Sequence, residues 1–311
     1  MILVAGSANL DFVVHAERIP APGETVLGHS LATHPGGKGA NQAVAVARAG
    51  GADTQMVLAL GSDAYAQPLE ASLRGAGVQT HIVRSTAQAT GTAFICVSRD
   101  AENAITVAPG ANMLLAPEHL PPLDGVTHLL MQLETPLATI TAYARAARAA
   151  GVTVVLNAAP AQALGTELLE LVDILIVNQG ELASITGAQG SISDGLAQLQ
   201  VPLVVVTLGA RGCCARQGNA FVLQPAFAID ALDTTGAGDT FCGVLVAALD
   251  RAIGLADALR LASAASALAC TRAGAQSAIP DQGEVAGFLS RQPANDVRAV
   301  AALRAYCGQA N

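Results

Sequence analysis

Six short runs of Val, Ile and Leu recur along the chain with helix-like segments between them, and this alternation restricts the fold more than any other feature. The runs are ILVAGS (2–7), QMVLAL (55–60), HLLMQL (128–133), VTVVLN (152–157), DILIVN (173–178) and LVVVTL (203–208). Continuous aliphatic character suits strands buried on both faces of a parallel sheet, whereas a half-exposed strand alternates apolar and polar residues. Between them, NQAVAVARAG (41–50), YAQPLEASLRGAG (65–77) and LATITAYARAARAAG (137–151) carry helical spacing and end in glycine. The pattern predicts an α/β fold: a three-layer α/β/α sandwich with a central, mainly parallel sheet.

Two stretches break the rhythm. Residues 12–35 and 88–107 read as short strands joined by polar turns, with SRDAEN (98–103) as a hairpin loop. We expect them to form a small β-sheet lid inserted in a single domain spanning 1–311. From about residue 239 onward the chain reads as largely helical.

With 52% hydrophobic and 13% charged residues, the chain can fill a large core and is not disordered. Its formal net charge of -8 argues against nucleic acid or an anionic membrane as partner. The most apolar helix-like stretch is interrupted by Asp250, Arg251, Asp257 and Arg260, so no segment reads as membrane-spanning. The opening residues lack a basic leader and read as no signal peptide. Six cysteines without a C-x-x-C pair fit reduced thiols and a cytoplasmic protein.

Lysine is nearly absent. Of 16 Lys and Arg residues only Lys38 is a lysine, and it falls inside PGGKGANQ (35–42). A flexible point charge between glycines, in a chain that otherwise uses planar guanidinium groups, marks a position with its own task. The glycines allow close approach to a ligand, and a helix opening near Asn41 offers free N–H donors. A plain glycine turn before an Ala-rich helix accounts for the glycines but not for the lysine. The segment is not a Walker A loop, because Gly39 and not Ser or Thr follows Lys38.

Other polar positions carry two readings each. In GSANLD (6–11), Asn9 and Asp11 suit sugar hydroxyls at a strand's carboxyl end, or an Asx turn. Glu134, after the third run, is a helix cap before Pro136 or a ligand contact. Asn178 and Glu181 in NQGE have the spacing of a capping box, and also that of a pair ordering Mg²⁺-bound water. TLGARG (207–212) is a glycine-bearing loop able to cradle a nucleotide.

DTTGAGDTF (233–241) places Gly236, Ala237 and Gly238 before Asp239 at a helix start. It is not a dinucleotide fingerprint, because Phe241 stands where the third glycine belongs. An N-terminal cap explains the acid alone. A base beside an anion-binding nest of backbone N–H groups explains both the acid and the small residues. The histidines show no paired metal spacing, and Cys242 reads as core.

Together these segments resemble the ribokinase-like (phosphofructokinase B) sugar kinases. GGKGANQAVAVARAGGADTQMVLALG (36–61) is similar to the family's N-terminal signature and DTTGAGDTFCG (233–243) to its C-terminal one. GSANLD, PGAN (109–112), MQLETPL (131–137), LNAAPA (156–161), NQGE, TLGARG and TRAGAQ (271–276) follow in consistent order.

The resemblance implies an α/β domain of roughly nine strands, with a β lid that also serves as a homodimer contact. It implies transfer of the γ-phosphoryl group of ATP to a sugar's primary hydroxyl, and its sugar positions imply the 5-hydroxyl of D-ribose, giving ribose 5-phosphate. Asp239 matches the family's general base, and Gly236, Ala237 and Gly238 match its anion hole. Asn9, Asp11, Gly37, Lys38, Asn41 and Glu134 match sugar contacts, with Asp239 among them. Asn178, Thr207, Leu208, Gly209, Ala210, Arg211, Gly212, Gly238 and Ser263 match ATP contacts, and Glu181 lies near Mg²⁺ through water.

A K⁺ activator is implied as well, with Asp233, Thr235, Ala269, Arg272 and Gly274 matching its ligands. Two positions depart from the family pattern: Ala278 stands where a serine ligand is usual, with Ser277 one place earlier, and Val244 replaces a smaller residue. The alternatives within the fold are another pentose, deoxyribose or a nucleoside. A nucleoside would want an aromatic platform, which 3% aromatic content does not favour. A sugar-binding regulatory protein without chemistry is the rival from another class, and the intact Asp239 segment argues against it.

Overall fold

The computed structural model describes residues 1–100 and 102–309. Ala101 of the expected hairpin loop and positions 310–311 of the expected domain lie outside the described residues. The strands, in chain order, are β1 (Ile2–Ala5), β2 (Asn9–Ala16), β3 (Gly28–Gly36), β4 (Thr54–Gly61), β5 (Gln79–Ser85), β6 (Gly91–Val97), β7 (Asn103–Ala108), β8 (His128–Met131), β9 (Thr153–Asn157), β10 (Ile174–Asn178), β11 (Leu203–Thr207), β12 (Gly212–Gln217) and β13 (Ala220–Pro225). Nine of them form one sheet in the order β13-β12-β11-β10-β9-β8-β1-β4-β5; the other four form a second sheet in the order β3-β2-β6-β7.

The six aliphatic runs are six strands of the large sheet, and all of them pair in parallel. Alternate residues of a strand serve opposite faces. Thus Ile2 and Val4 belong to one core while Leu3 and Ala5 belong to the other. The first core lies under helices that include Lys38–Arg48, Ala66–Gly75, Ala237–Asp250 and Leu255–Cys270; the second lies under Leu137–Ala149 and Val297–Tyr306. Helices therefore cover both faces, and the α/β/α sandwich is present as expected.

Two strands stop two residues short of their sequence runs at the carboxyl end. β1 stops at Ala5 and β8 at Met131, which leaves Gly6–Ser7 and Gln132–Glu134 off the ladder at the carboxyl edge, where open α/β sheets bind ligands. An edge hairpin, β12–β13, adds the large sheet's antiparallel pairs. The sequence had not marked it.

In the small sheet, β2 pairs in parallel with β6, and β2–β3 and β6–β7 are antiparallel. β6 and β7 are the arms of the hairpin anticipated around SRDAEN. β2 begins at Asn9, so Asn9 and Asp11 belong to a strand and not to an Asx turn or a loop after β1. In register, Asp11 faces Ala93 and Ala93 faces Val107, so the three share one face of this sheet. No helix among the described residues is long and apolar enough to cross a membrane.

Candidate active site

The site begins where helix Lys38–Arg48 starts. Gly37 is its N-cap and no side chain of the helix caps it, so its first N–H groups need partners from elsewhere. Lys38 N–H donates to Glu134 Oε2 at 3.1 Å, and Gly39 N–H reaches Ser7 Oγ at 3.4 Å. Ser7 Oγ in turn donates to the same Glu134 oxygen at 2.5 Å. The helix therefore opens three residues before Asn41, where the sequence had placed its start, because residues just beyond the ends of β1 and β8 cap it. Glu134 is a cap, but of this distant helix and not of the one after Pro136.

Helix Ala237–Asp250 packs against it. Its N-cap, Gly236, has φ of +72°, a left-handed conformation that favours glycine, and no side chain caps this helix either. The capping alternative for Asp239 is thus set aside. Its carboxylate turns inward, nearly buried, and accepts Asn41 Nδ2 on Oδ2 and Gln42 Nε2 on Oδ1, each at 2.9 Å.

These two amides are held in turn. Asn41 Oδ1 accepts Gln276 Nε2 at 3.1 Å, and Gln42 Oε1 accepts Gln132 Nε2 at 2.7 Å. Gln42 Nε2 also reaches Asn157 Oδ1 at 2.9 Å. None of Gln42, Gln132, Asn157 or Gln276 stood out in the sequence. Gln42 follows Asn41 on the same helical turn, and that adjacency was the available signal.

On the small sheet, Asn9 is fixed by Asn112 of PGAN. Asn112 Nδ2 donates to Asn9 Oδ1 at 2.8 Å, and Asn112 Oδ1 accepts Ala8 N–H at 3.0 Å. With its oxygen engaged, Asn9 presents its NH₂ as the free polar end. Asp11, 9% exposed, faces the same space. Burial, and then the negative charges of Glu134 and Asp239, push its carboxyl up to about 7. The charge of Lys38 answers these acids: burial lowers its ammonium, but Asp239, Glu134 and Glu181 outweigh that and leave it raised.

The raised Asp11 has a consequence for stability. Its ionisation costs more in the folded chain, so it subtracts stability as pH rises from the unfolded carboxyl value to about 7. At 1.36 kcal/mol per unit, removing the charge is worth on the order of 4 kcal/mol above pH 7 as an upper bound, and less at pH 5. We expect Asp11→Asn to raise the stability of the free protein, with a gain larger by about 2 kcal/mol at pH 8 than at pH 5. Denaturant unfolding at the two pH values measures it; an equal gain at both would contradict the buried charge.

Two cavities adjoin near Asp239, which lines the smaller one only. The smaller, about 160 Å³, is lined by Lys38, Asn157, Asn178, Glu181, Gly238 and Asp239, with Cys242 at its wall. The larger, about 410 Å³, is bounded by Thr207, Gly209, Ala210, Gly212 and Ser263 and by the apolar Phe227 and Ile229. Thr207 and Gly238 line both, so the cavities adjoin. Of the expected nucleotide contacts, Leu208 and Arg211 line neither: Leu208 is buried in the core, and Arg211 lies 4.3 Å from the Tyr306 ring. Asn178 lines the smaller cavity only.

Asn178 and Glu181 do form a capping box. Asn178 Oδ1 accepts Glu181 N–H at 2.8 Å and Glu181 Oε2 accepts Asn178 N–H at 2.7 Å. That uses one of the Glu181 oxygens, and burial pushes its carboxyl up.

The loop before Gly236 is tied to TRAGAQ. Asp233 accepts Thr235 N–H at 2.9 Å and Gly274 N–H at 2.8 Å, one on each oxygen. Ala237 N–H closes onto Thr234 O at 3.2 Å. Ala269 is buried, and Arg272 turns its guanidinium to Glu284. Ala278 is fully buried, while Ser277 Oγ donates to Ala273 O at 3.1 Å beside Gly274. A hydroxyl is thus present on this loop one residue before the position expected.

Comparison with known proteins accords with this geometry. Residues 1–282 match the model of the pfkB family carbohydrate kinases. The chain is 38% identical over 301 residues to the ribokinase of Haemophilus influenzae, covering 93% of this chain and 98% of that one. It is 37% identical to the ribokinase of Bacillus subtilis, covering 93% and 99%. A structure of Arabidopsis thaliana ribokinase complexed with ribose and ATP superposes with a TM-score of 0.85 at 32% identity, over 94% of this chain and 99% of that one.

Proposed function

The chain belongs to the pfkB family of carbohydrate kinases, and from that membership we infer that it transfers the γ-phosphoryl group of ATP to the 5-hydroxyl of D-ribose, giving D-ribose 5-phosphate. The observation that carries this reading is the place of Asp239. It is a nearly buried carboxylate that lines the smaller cavity together with Lys38, next to the nucleotide-sized cavity, in the first turn of a helix whose starting N–H groups lie beside it.

Each side chain then has a part. Asn9, Asp11, Lys38, Asn41 and Glu134 hold sugar hydroxyls, with Gly37 allowing the sugar to approach the backbone. The larger cavity takes the nucleotide, its apolar wall of Phe227 and Ile229 facing the base and Thr207, Gly209, Ala210, Gly212 and Ser263 its polar parts. Asp239 accepts the proton of the attacking hydroxyl. The N–H groups of Gly236 and Gly238, with that of Ala237 once it leaves Thr234 O and with the helix dipole behind them, stabilise charge on the transferred group's oxygens. Lys38 offsets the remaining negative charge.

Such kinases use a divalent metal with ATP, which neutralises charge on the phosphates. The donors present fit a hard cation held largely by nucleotide and water. Glu181 keeps one oxygen outside its capping box, and no cluster of three acidic, histidine or cysteine ligands exists among the described residues. We assign Glu181 to a Mg²⁺-bound water. For K⁺, the oxygen-lined loop of Asp233, Thr235 and Gly274 is the proposed place, with carbonyls of Ala269 and Arg272, and Ser277 supplying the hydroxyl that Ala278 lacks. Asp233 oxygens have lone pairs beyond the two N–H bonds they accept.

We propose a homodimer through the small sheet, supported by apolar side chains left exposed on it: Leu31 at 65% and Phe94 at 53% on one face, Ile105 at 55% on the other. A purely monomeric sedimentation profile would count against it. A cytoplasmic location rests on the six free cysteines.

The test is ADP release over ribose, deoxyribose, fructose and adenosine, with KCl or choline chloride at equal ionic strength. Ribose is expected to give the highest kcat/KM, and KCl to raise it. Turnover of adenosine but not ribose would overturn the substrate, and equal rates in both salts would overturn the K⁺ assignment.

A further inference from the structure

The amides behind Asp239 form a directed chain. Gln132, with no exposed surface, donates through Nε2 to Gln42 Oε1 at 2.7 Å. Gln42, equally buried, then has only its NH₂ to offer in the other direction, and that group donates to Asp239 Oδ1 and to Asn157 Oδ1, both at 2.9 Å. A carboxylate only accepts, and a primary amide has one accepting and one donating end. The order Gln132 to Gln42 to Asp239 is therefore self-consistent, and the reverse would set an amide oxygen against a carboxylate.

Gln42 touches neither cavity; its contacts at this end are Asp239, Asn157 and Gln132. Asn41, which we have placed among the sugar contacts, holds the other carboxylate oxygen. We propose that Gln42, aimed by Gln132, is a positioning residue: it fixes the rotation of the Asp239 carboxylate so that an unoccupied lone pair faces the sugar hydroxyl. This rests on the reading of Asp239 as the base.

The physical effect has two parts. A carboxylate with one donor on each oxygen cannot spin about its Cβ–Cγ bond without breaking a bond to a buried amide, which would then lie unpaired. A hydrogen bond given to the charged form also favours that form, so losing one eases protonation. The other charged or titratable groups facing Asp239 are Lys38 on the adjoining helix, Asp11 on β2, Glu181 after β10 and Cys242 on its own helix. Glu134 joins them through the shared field at Asp11 and Lys38. A change at Gln42 leaves all of them in place.

The test compares wild type with Gln42→Met, an unbranched replacement of similar volume, and with Gln132→Met, which leaves both donors on Asp239 but frees the Gln42 amide. For Gln42→Met we expect kcat to fall about tenfold or more, with KM for ribose and for ATP within about threefold. The acid limb of the kcat–pH profile should move to higher pH. Gln132→Met should move it in the same direction by less, and serves alone if Gln42→Met does not fold. A kcat within about threefold, or a lower kcat with the acid limb unmoved in whichever variant folds, overturns the proposal. Asp239→Asn separates the two ideas: if it keeps turnover the base reading has failed, whereas an inactive Asp239→Asn beside an unmoved limb sinks only the positioning role.

Discussion

Asp239→Asn is expected to lower kcat by a factor of about 10² to 10⁴ while ribose binding stays measurable by calorimetry. Asparagine keeps the shape of the side chain but cannot take a proton from the hydroxyl. It also meets two donors, Asn41 Nδ2 and Gln42 Nε2, with a single accepting oxygen. One of those amides must turn or lie unpaired, at a cost of about 1–3 kcal/mol, so a modest drop in Tm accompanies the loss of turnover. The proposed sugar contacts of Asn9, Asp11, Lys38 and Glu134 are untouched. Turnover within tenfold of wild type would show that the proton leaves by another route.

The second large effect is expected from a residue outside both cavities. Gly243, one helical turn beyond Asp239, sits where helix Ala237–Asp250 crosses helix Lys38–Arg48. A Cβ there would lie 2.6 Å from Ala45 Cβ, 2.7 Å from Gln42 O and 2.8 Å from Val46 N. Two of these are backbone atoms and cannot swing aside, so Gly243→Ala must push the helices apart. Overpacking of this kind costs about 1–3 kcal/mol. The same displacement draws Asp239 away from Asn41 and Gln42, and misplacement approaching 1 Å can cost about a hundredfold in rate. We therefore expect Gly243→Ala to lower both the denaturant midpoint and kcat, with KM for ATP little changed. Unaltered kcat in a folded variant would mean that the helix crossing does not set the position of Asp239.

The large sheet was legible because its signal is local. Aliphatic runs such as LVVVTL and glycine-ended helices such as LATITAYARAARAAG announce themselves within about one element's length. The edge hairpin β12–β13 escaped notice: Cys213, Cys214 and Ala215 face Gln224, Leu223 and Val222, a mixed pairing with no long aliphatic run. The small sheet showed in outline, but its first strand begins at Asn9, inside a segment that reads equally well as a turn.

The sequence by itself determined the layered α/β class, the strands that build its centre, and the two segments around Lys38 and Asp239 that had to matter. Only the tertiary structure decided which partner each polar group takes. Glu134 caps a helix that begins 96 positions earlier. Asp239 meets Asn41 from 198 positions away, and behind it stand Gln42, marked in the sequence only by following Asn41, and Gln132, which carries no mark there. The reason is physical. Hydrophobic periodicity is written along one element, whereas a hydrogen bond is short and directional, so its partner is fixed only once the parallel sheet brings distant strand ends and helix starts to the same edge.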